Sequence, residues 1–247
     1  MHRLERLLLI SFEIGTGCNL KNEHLNCPIN KILRKQNAPH LTVETVCKAM
    51  DEANELGFKG HFAFHHYNEP LVYIDIIDKI VKLRPQNKYL LWSNGLLVPD
   101  IEKKGYSLNI FDQIIFTLYH ETDKEMLMDV QRRYKNVEIY LAEMDERLEI
   151  YHSNYENIVS CKKPYIELPI DYYGEVCLCT HDWKNSHKLG NILDTSMKDV
   201  ILGERYQKVL DGAAKIGNNE NSPQICRKCR YAHLLETPVL SKVRREE

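Results

Sequence analysis

The sequence predicts an α/β protein, an abbreviated, partial (β/α) barrel followed by a small cysteine-rich extension. Three observations predict it. Strand-like runs alternate with helix-like segments over the first ~145 residues, as a parallel sheet or barrel requires. The alternation stops near Cys161, where a hairpin pattern and clustered cysteines take over. Within the strands, one alternating side-chain set is large and apolar and the other is polar and ionisable, the division expected around a lumen.

The elements follow in chain order. "MHRLERLLLISFEIG" superficially resembles a signal peptide. Its apolar stretch is short, Glu13 follows it and no small-residue cleavage site appears, so Leu7–Ile14 reads as a buried first strand. Thr42 caps a helix that places Val43, Val46, Cys47 and Met50 on one face and ends at Gly57. His61–His65 is a strand, Leu71–Leu83 a helix, Tyr89–Ser93 and Ile114–Tyr119 strands, Asp123–Tyr134 a helix and Val137–Ala142 a strand. "PYIELPIDYYGEVCLC" reads as a hairpin turning at Tyr173-Gly174. A helix from Ser196 to about Lys215, a polar loop and "CRKC" follow. The expected division is a barrel over 1–155, an extension over 156–235 and a frayed tail over 236–247.

With 33 Lys plus Arg against 35 Asp plus Glu, the net charge of −2 gives no support to nucleic acid or an anionic membrane as partner. No apolar run approaches a bilayer span, so a soluble cytoplasmic protein is expected. In such a reducing compartment the eight cysteines point to metal rather than to disulfides.

Cys226-x2-Cys229 joins Cys161-x12-Gly174-x4-Cys179. The glycine-turned hairpin brings Cys161 and Cys179 together, and four thiolates suit a four-iron cluster or structural zinc. Cys177 shares a strand face with Cys179 and is a rival ligand. This pattern resembles the auxiliary-cluster extension, the twitch or SPASM domain, of radical S-adenosylmethionine enzymes. Within that family the chain is similar to the aminocyclitol dehydrogenases, which have a similar length, an abbreviated barrel and the same extension. The resemblance implies that Cys161, Cys179, Cys226 and Cys229 hold one auxiliary [4Fe–4S] cluster. It also implies S-adenosylmethionine as cofactor, a low-potential donor such as flavodoxin or ferredoxin, and oxidation of a polar small molecule, with a peptide side chain as the alternative.

The first half is similar to the same family at three points. "TGCNL" resembles the start of its cluster loop. "YNEPL" keeps Glu69 and Pro70 of the Gly-Gly-Glu-Pro segment that contacts the cofactor amino group, with Tyr67 and Asn68 replacing the glycines. "SNGLL" resembles its Thr-Asn-Gly segment. Glu69, Ser93, Asn94 and the lumen residue Thr117 are thus the expected cofactor contacts.

The family's Cys-x3-Cys-x2-Cys is replaced by Cys18-x5-His24-x2-Cys27. Three readings stand. Cys18, His24 and Cys27 bind a second cluster, although imidazole raises the reduction potential and works against sulfonium reduction. Alternatively Cys47 supplies a third thiolate, or the loop is degenerate and only the auxiliary site survives, leaving a non-catalytic iron–sulfur protein.

In the strands, Leu8/Ile10/Phe12, Phe62/Phe64, Ile114/Phe116/Leu118 and Val137/Ile139/Leu141 are expected to meet the helices. Ser11/Glu13, His61/Ala63/His65, Thr117/Tyr119 and Glu138/Tyr140 are expected to line the lumen. Burying so many polar groups without a use is costly, which points to a polar ligand inside; an open, solvated sheet is the bland alternative. His65 and Glu138 are the candidates for taking a substrate proton.

Overall fold

The computed structural model describes residues 3–33, 35, 37–142, 147–152, 160–214, 216 and 220–229. The charged tail and most of the segment between barrel and extension lie outside them.

Six parallel strands form one sheet: β1 Leu9–Phe12, β2 His61–Ala63, β3 Lys88–Ser93, β4 Gln113–Leu118, β5 Val137–Leu141 and β6 Glu167–Ile170. Their order is β5-β4-β3-β2-β1-β6. Successive strands therefore lie side by side through β5, and β6 returns to the free edge of β1, where Leu9 pairs with Glu167 and Phe12 with Ile170. The sequence read Glu167–Ile170 as one arm of the hairpin. Its backbone first completes the parallel sheet, and only at the Ile170–Val176 bridge does the chain turn antiparallel. Gly174 makes that turn with φ +78°, as its position predicts.

Helices cover one face. Thr42 Oγ1 accepts from Thr45 N at 3.2 Å and starts α1 Val43–Glu55, while Gly57 ends it at φ +86°. After α2 Ile74–Leu83 and α3 Val98–Lys103 comes α4 Lys124–Arg133. Ile10, Phe12, Phe62, Phe64, Ile114 and Phe116 pack into the main core with Met50, Ile77 and Leu127 of these helices. The other face carries Ser11, Glu13, His61 and Thr117, all buried, as the alternation predicts. It also carries an apolar floor of Leu9, Ala63, Leu90 and Ile115. Two placements differ from expectation. Leu8 precedes the pleated segment and packs on the floor, not on the helices. Leu141 is exposed, because it ends the edge strand.

The extension contains α5 Lys163–Ile166, α6 Met197–Leu202, α7 Glu204–Ala214 and α8 Gln224–Arg227. The single helix expected from Ser196 breaks at Gly203, whose ψ of 147° is extended. Among the described residues, no helix is long and apolar enough to cross a membrane.

Candidate cofactor and cluster sites

Three loops meet at the carboxyl ends of β1, β2 and β3, the rim where barrel folds place their chemistry. Glu69 stands at their centre, 3% exposed. Its Oε1 accepts from Leu71 N at 3.0 Å and Ser93 Oγ at 2.6 Å; its Oε2 accepts from Asn94 N at 3.1 Å and Asn94 Nδ2 at 2.8 Å. Burial outweighs these donors and raises the Glu69 pKa. A buried carboxylate with no ion pair among the described residues suits the ammonium of a ligand. Asn94 reaches the first loop by donating to Asn19 Oδ1 at 2.9 Å. Gly17 O accepts from Glu69 N at 2.9 Å.

Tyr73 fixes the start of that loop. Its hydroxyl accepts from Thr16 N at 2.9 Å and Gly17 N at 2.6 Å. A Cβ on Gly15 would lie 2.1 Å from Tyr73 Cζ, so a larger residue there must displace the Tyr73 ring. Gly95, at φ +76°, turns the chain after Asn94. The predicted contacts Glu69, Ser93 and Asn94 thus form one network. Thr117 is adjacent but differently engaged. It accepts from Trp92 Nε1 at 3.0 Å and lines a crevice with Leu20, Asn94, Leu96 and Tyr119.

Cys18 and Cys27 lie close enough to influence each other, and both pack in a small cluster with Ile29 and Tyr67. Burial first, with Glu69 and Cys27 adding to it, pushes the Cys18 thiol up to about 11. The His24 ring sits edge-on to Tyr119, 4.2 Å between centroids. Cys47 packs in the helix-side core, away from this loop, as a buried thiol. The loop thus fits a cluster in part: the two thiols act on each other, and the His24 ring packs against Tyr119.

The C-terminal set fits more fully. Cys226 interacts with Cys161 and Cys229, and Cys179 with Cys226 and Cys229. Burial raises the pKa of Cys161, Cys179 and Cys226, so a metal must displace their protons. Four thiols close enough to act on one another electrostatically supply the ligand set of an iron–sulfur cluster or of structural zinc. Cys177 is buried with its thiol directed to Glu175 O at 3.5 Å.

Of the two proton-acceptor candidates, His65 is half-buried and its ring lies 5.4 Å from that of Trp92. Its Nδ1 makes no hydrogen bond among the described residues. Burial, then Arg147 and Lys163, pushes its imidazole down to about 3, leaving it neutral and weakly basic. Glu138 is half-buried opposite Ile115, which is itself opposite Trp92. Residues with no sequence signal also hold the site: Tyr73 in the rim, Lys163 and Thr180 within the extension.

Residues 161–230 match the SPASM family, an iron-sulfur cluster-binding domain. The crystal structure of BtrN in complex with AdoMet and 2-DOIA matches with a TM-score of 0.69 at 18% identity, covering 91% of this chain and 93% of that one. The chain thus shares the partial-barrel fold of that structure and carries a SPASM-type extension. BtrN in an open conformation matches the same fold with a TM-score of 0.62 at 17% identity, over 91% of this chain and 92% of that one. An S-adenosyl-L-methionine-dependent 2-deoxy-scyllo-inosamine dehydrogenase from Niallia circulans is 21% identical over 239 residues, covering 90% of this chain and 92% of that protein.

Proposed function

We propose that the chain is a radical S-adenosylmethionine oxidoreductase acting on a polar small molecule of the sugar or cyclitol kind. A reduced [4Fe–4S] cluster and S-adenosylmethionine, when bound, supply a 5′-deoxyadenosyl radical that takes a hydrogen atom from carbon. The chain's residues orient and complete the reaction. Glu69, held by Ser93 and Asn94, accepts the ammonium of the cofactor. Cys161, Cys179, Cys226 and Cys229 would hold an auxiliary cluster, which would supply an acceptor for the substrate's second electron. Glu138, or more weakly His65, takes the proton. Hydrogen atom, electron and proton together amount to oxidation of an alcohol carbon to a carbonyl.

The observation that carries this reading is the convergence of Glu69, Ser93 and Asn94 with the Cys18 loop. The name of the Niallia relative supports the substrate class. The test is anaerobic incubation of reconstituted protein with S-adenosylmethionine, dithionite and 2-deoxy-scyllo-inosamine. The expected product has lost two hydrogens, with 5′-deoxyadenosine formed in step; an unchanged substrate contradicts the assignment. A precursor peptide consumed instead would move the substrate to a side chain. The position of His24 against Tyr119 favours a second reading, an iron–sulfur protein loaded only at the C-terminal thiols. It predicts about four irons per chain rather than about eight.

A further inference from the structure

The sheet and the extension meet at a buried ion pair that the reaction above leaves without a role. Lys163 opens α5, two residues after Cys161, and Glu167 opens β6. Lys163 Nζ lies 2.7 Å from Glu167 Oε1 and donates to Thr180 Oγ1 at 2.8 Å. Thr180 N and Oγ1 both donate to the same carboxylate oxygen, at 3.3 and 3.2 Å. The two side chains are 12% and 6% exposed, so water screens neither charge well. Thr180 directly follows Cys179. The Lys163 backbone N–H donates to the Cys161 thiol, and both charged groups act electrostatically on Cys161 and Cys179.

Stability alone is a weak reason for such a pair, since an apolar pair of similar volume serves as well or better. Beside a cluster the same charges acquire a use. Reduction adds one negative charge to the cluster; a fixed cation favours that step and a fixed anion opposes it.

We propose that the Lys163–Glu167 pair sets the reduction potential of the cluster held by Cys161, Cys179, Cys226 and Cys229, with Lys163 as a positioning residue that makes it an electron acceptor. The inference rests on the auxiliary-cluster part of the function proposed above. The step is addition of one electron, from the substrate-derived radical in turnover and from dithionite in the test; no bond in the chain forms or breaks.

The test uses the full chain with Cys18→Ala and Cys27→Ala, which leaves one cluster, reconstituted anaerobically and titrated with dithionite while the reduced cluster is followed by electron paramagnetic resonance. Lys163→Met lowers the reduced-to-oxidised ratio at fixed potential about tenfold, about 59 mV for one electron. Lys163→Arg stays at the parent value. Glu167→Gln moves the ratio the opposite way. The double variant Lys163→Met/Glu167→Gln removes both charges and returns close to the parent, which also keeps the test valid where Lys163→Met alone does not fold. Potentials that coincide across the series, with about four irons bound, overturn the inference and leave the proposed function standing. Potentials that move as expected while the intact chain fails to cleave S-adenosylmethionine overturn that function and leave the inference. A parent that binds no iron overturns both.

Discussion

Replacing Glu69 by alanine strips the acceptor from four donors at once. Two of them find relief: Asn94 Nδ2 keeps its bond to Asn19 Oδ1, and the Ser93 hydroxyl can rotate. The backbone N–H groups of Leu71 and Asn94, at 3.0 and 3.1 Å, are left buried without a partner. Each such group costs about 1–3 kcal/mol, and losing a buried anion offsets a part, so a net loss of about 2–5 kcal/mol follows. For a chain of this size that lowers the melting temperature by about 5–15 °C. Glu69→Gln keeps one acceptor oxygen but sets an amide against the donors of Asn94, so it falls between parent and alanine. The pH dependence is a second readout. The folded pKa lies above the unfolded value of 4.5, so this contribution is full below 4.5 and is lost as pH rises through the folded value. Glu69→Gln removes that slope. The assay is urea denaturation across pH, with S-adenosylmethionine affinity measured alongside. Glu69→Ala as stable as the parent and equally able to bind the cofactor would refute the reasoning.

Tyr73→Phe removes the acceptor of Thr16 and Gly17 N–H; amide exchange at both positions is expected to quicken, and stability to fall by about 1–2 kcal/mol. Burial raises Asp171 from 3.8 to about 6, so its contribution to stability is full below pH 4 and fades as pH rises through 6. Asp171→Asn keeps the bonds from Tyr173 N and Glu175 N and is expected to flatten denaturation midpoints over that window. His24→Ala distinguishes the readings of the N-terminal loop: iron per chain drops from about eight to about four where the imidazole is a ligand, and stays unchanged where it is not.

Much of the fold was legible because period-2 patterning and helix punctuation are local signals. Thr42 and Gly57 delimit α1 as read, and the alternation in β1, β2 and β4 assigns helix and lumen faces correctly. The sixth strand was not legible as such. "ELPI" is followed at once by a turn, and pairing with β1 depends on a contact some 150 residues distant in sequence, which no local pattern encodes. The break at Gly203 was likewise hidden inside a continuous amphipathic run. Within the site, the resemblance pointed to Glu69, Ser93 and Asn94, which the fold joins in one hydrogen-bond network, and spacing grouped the C-terminal thiols. Tyr73, Lys163 and Thr180 carried no signal. Their roles arise from distances set only when the loops and extension fold onto the rim.

The central claim is that the strand-end rim, with its Cys18 loop and buried Glu69, activates S-adenosylmethionine. Chromatographic measurement of 5′-deoxyadenosine after anaerobic reconstitution and dithionite addition tests it most directly. The account predicts product that depends on reductant and disappears in Cys18→Ala and Cys27→Ala. Intact S-adenosylmethionine, recovered in full from a protein that has taken up iron, would contradict it.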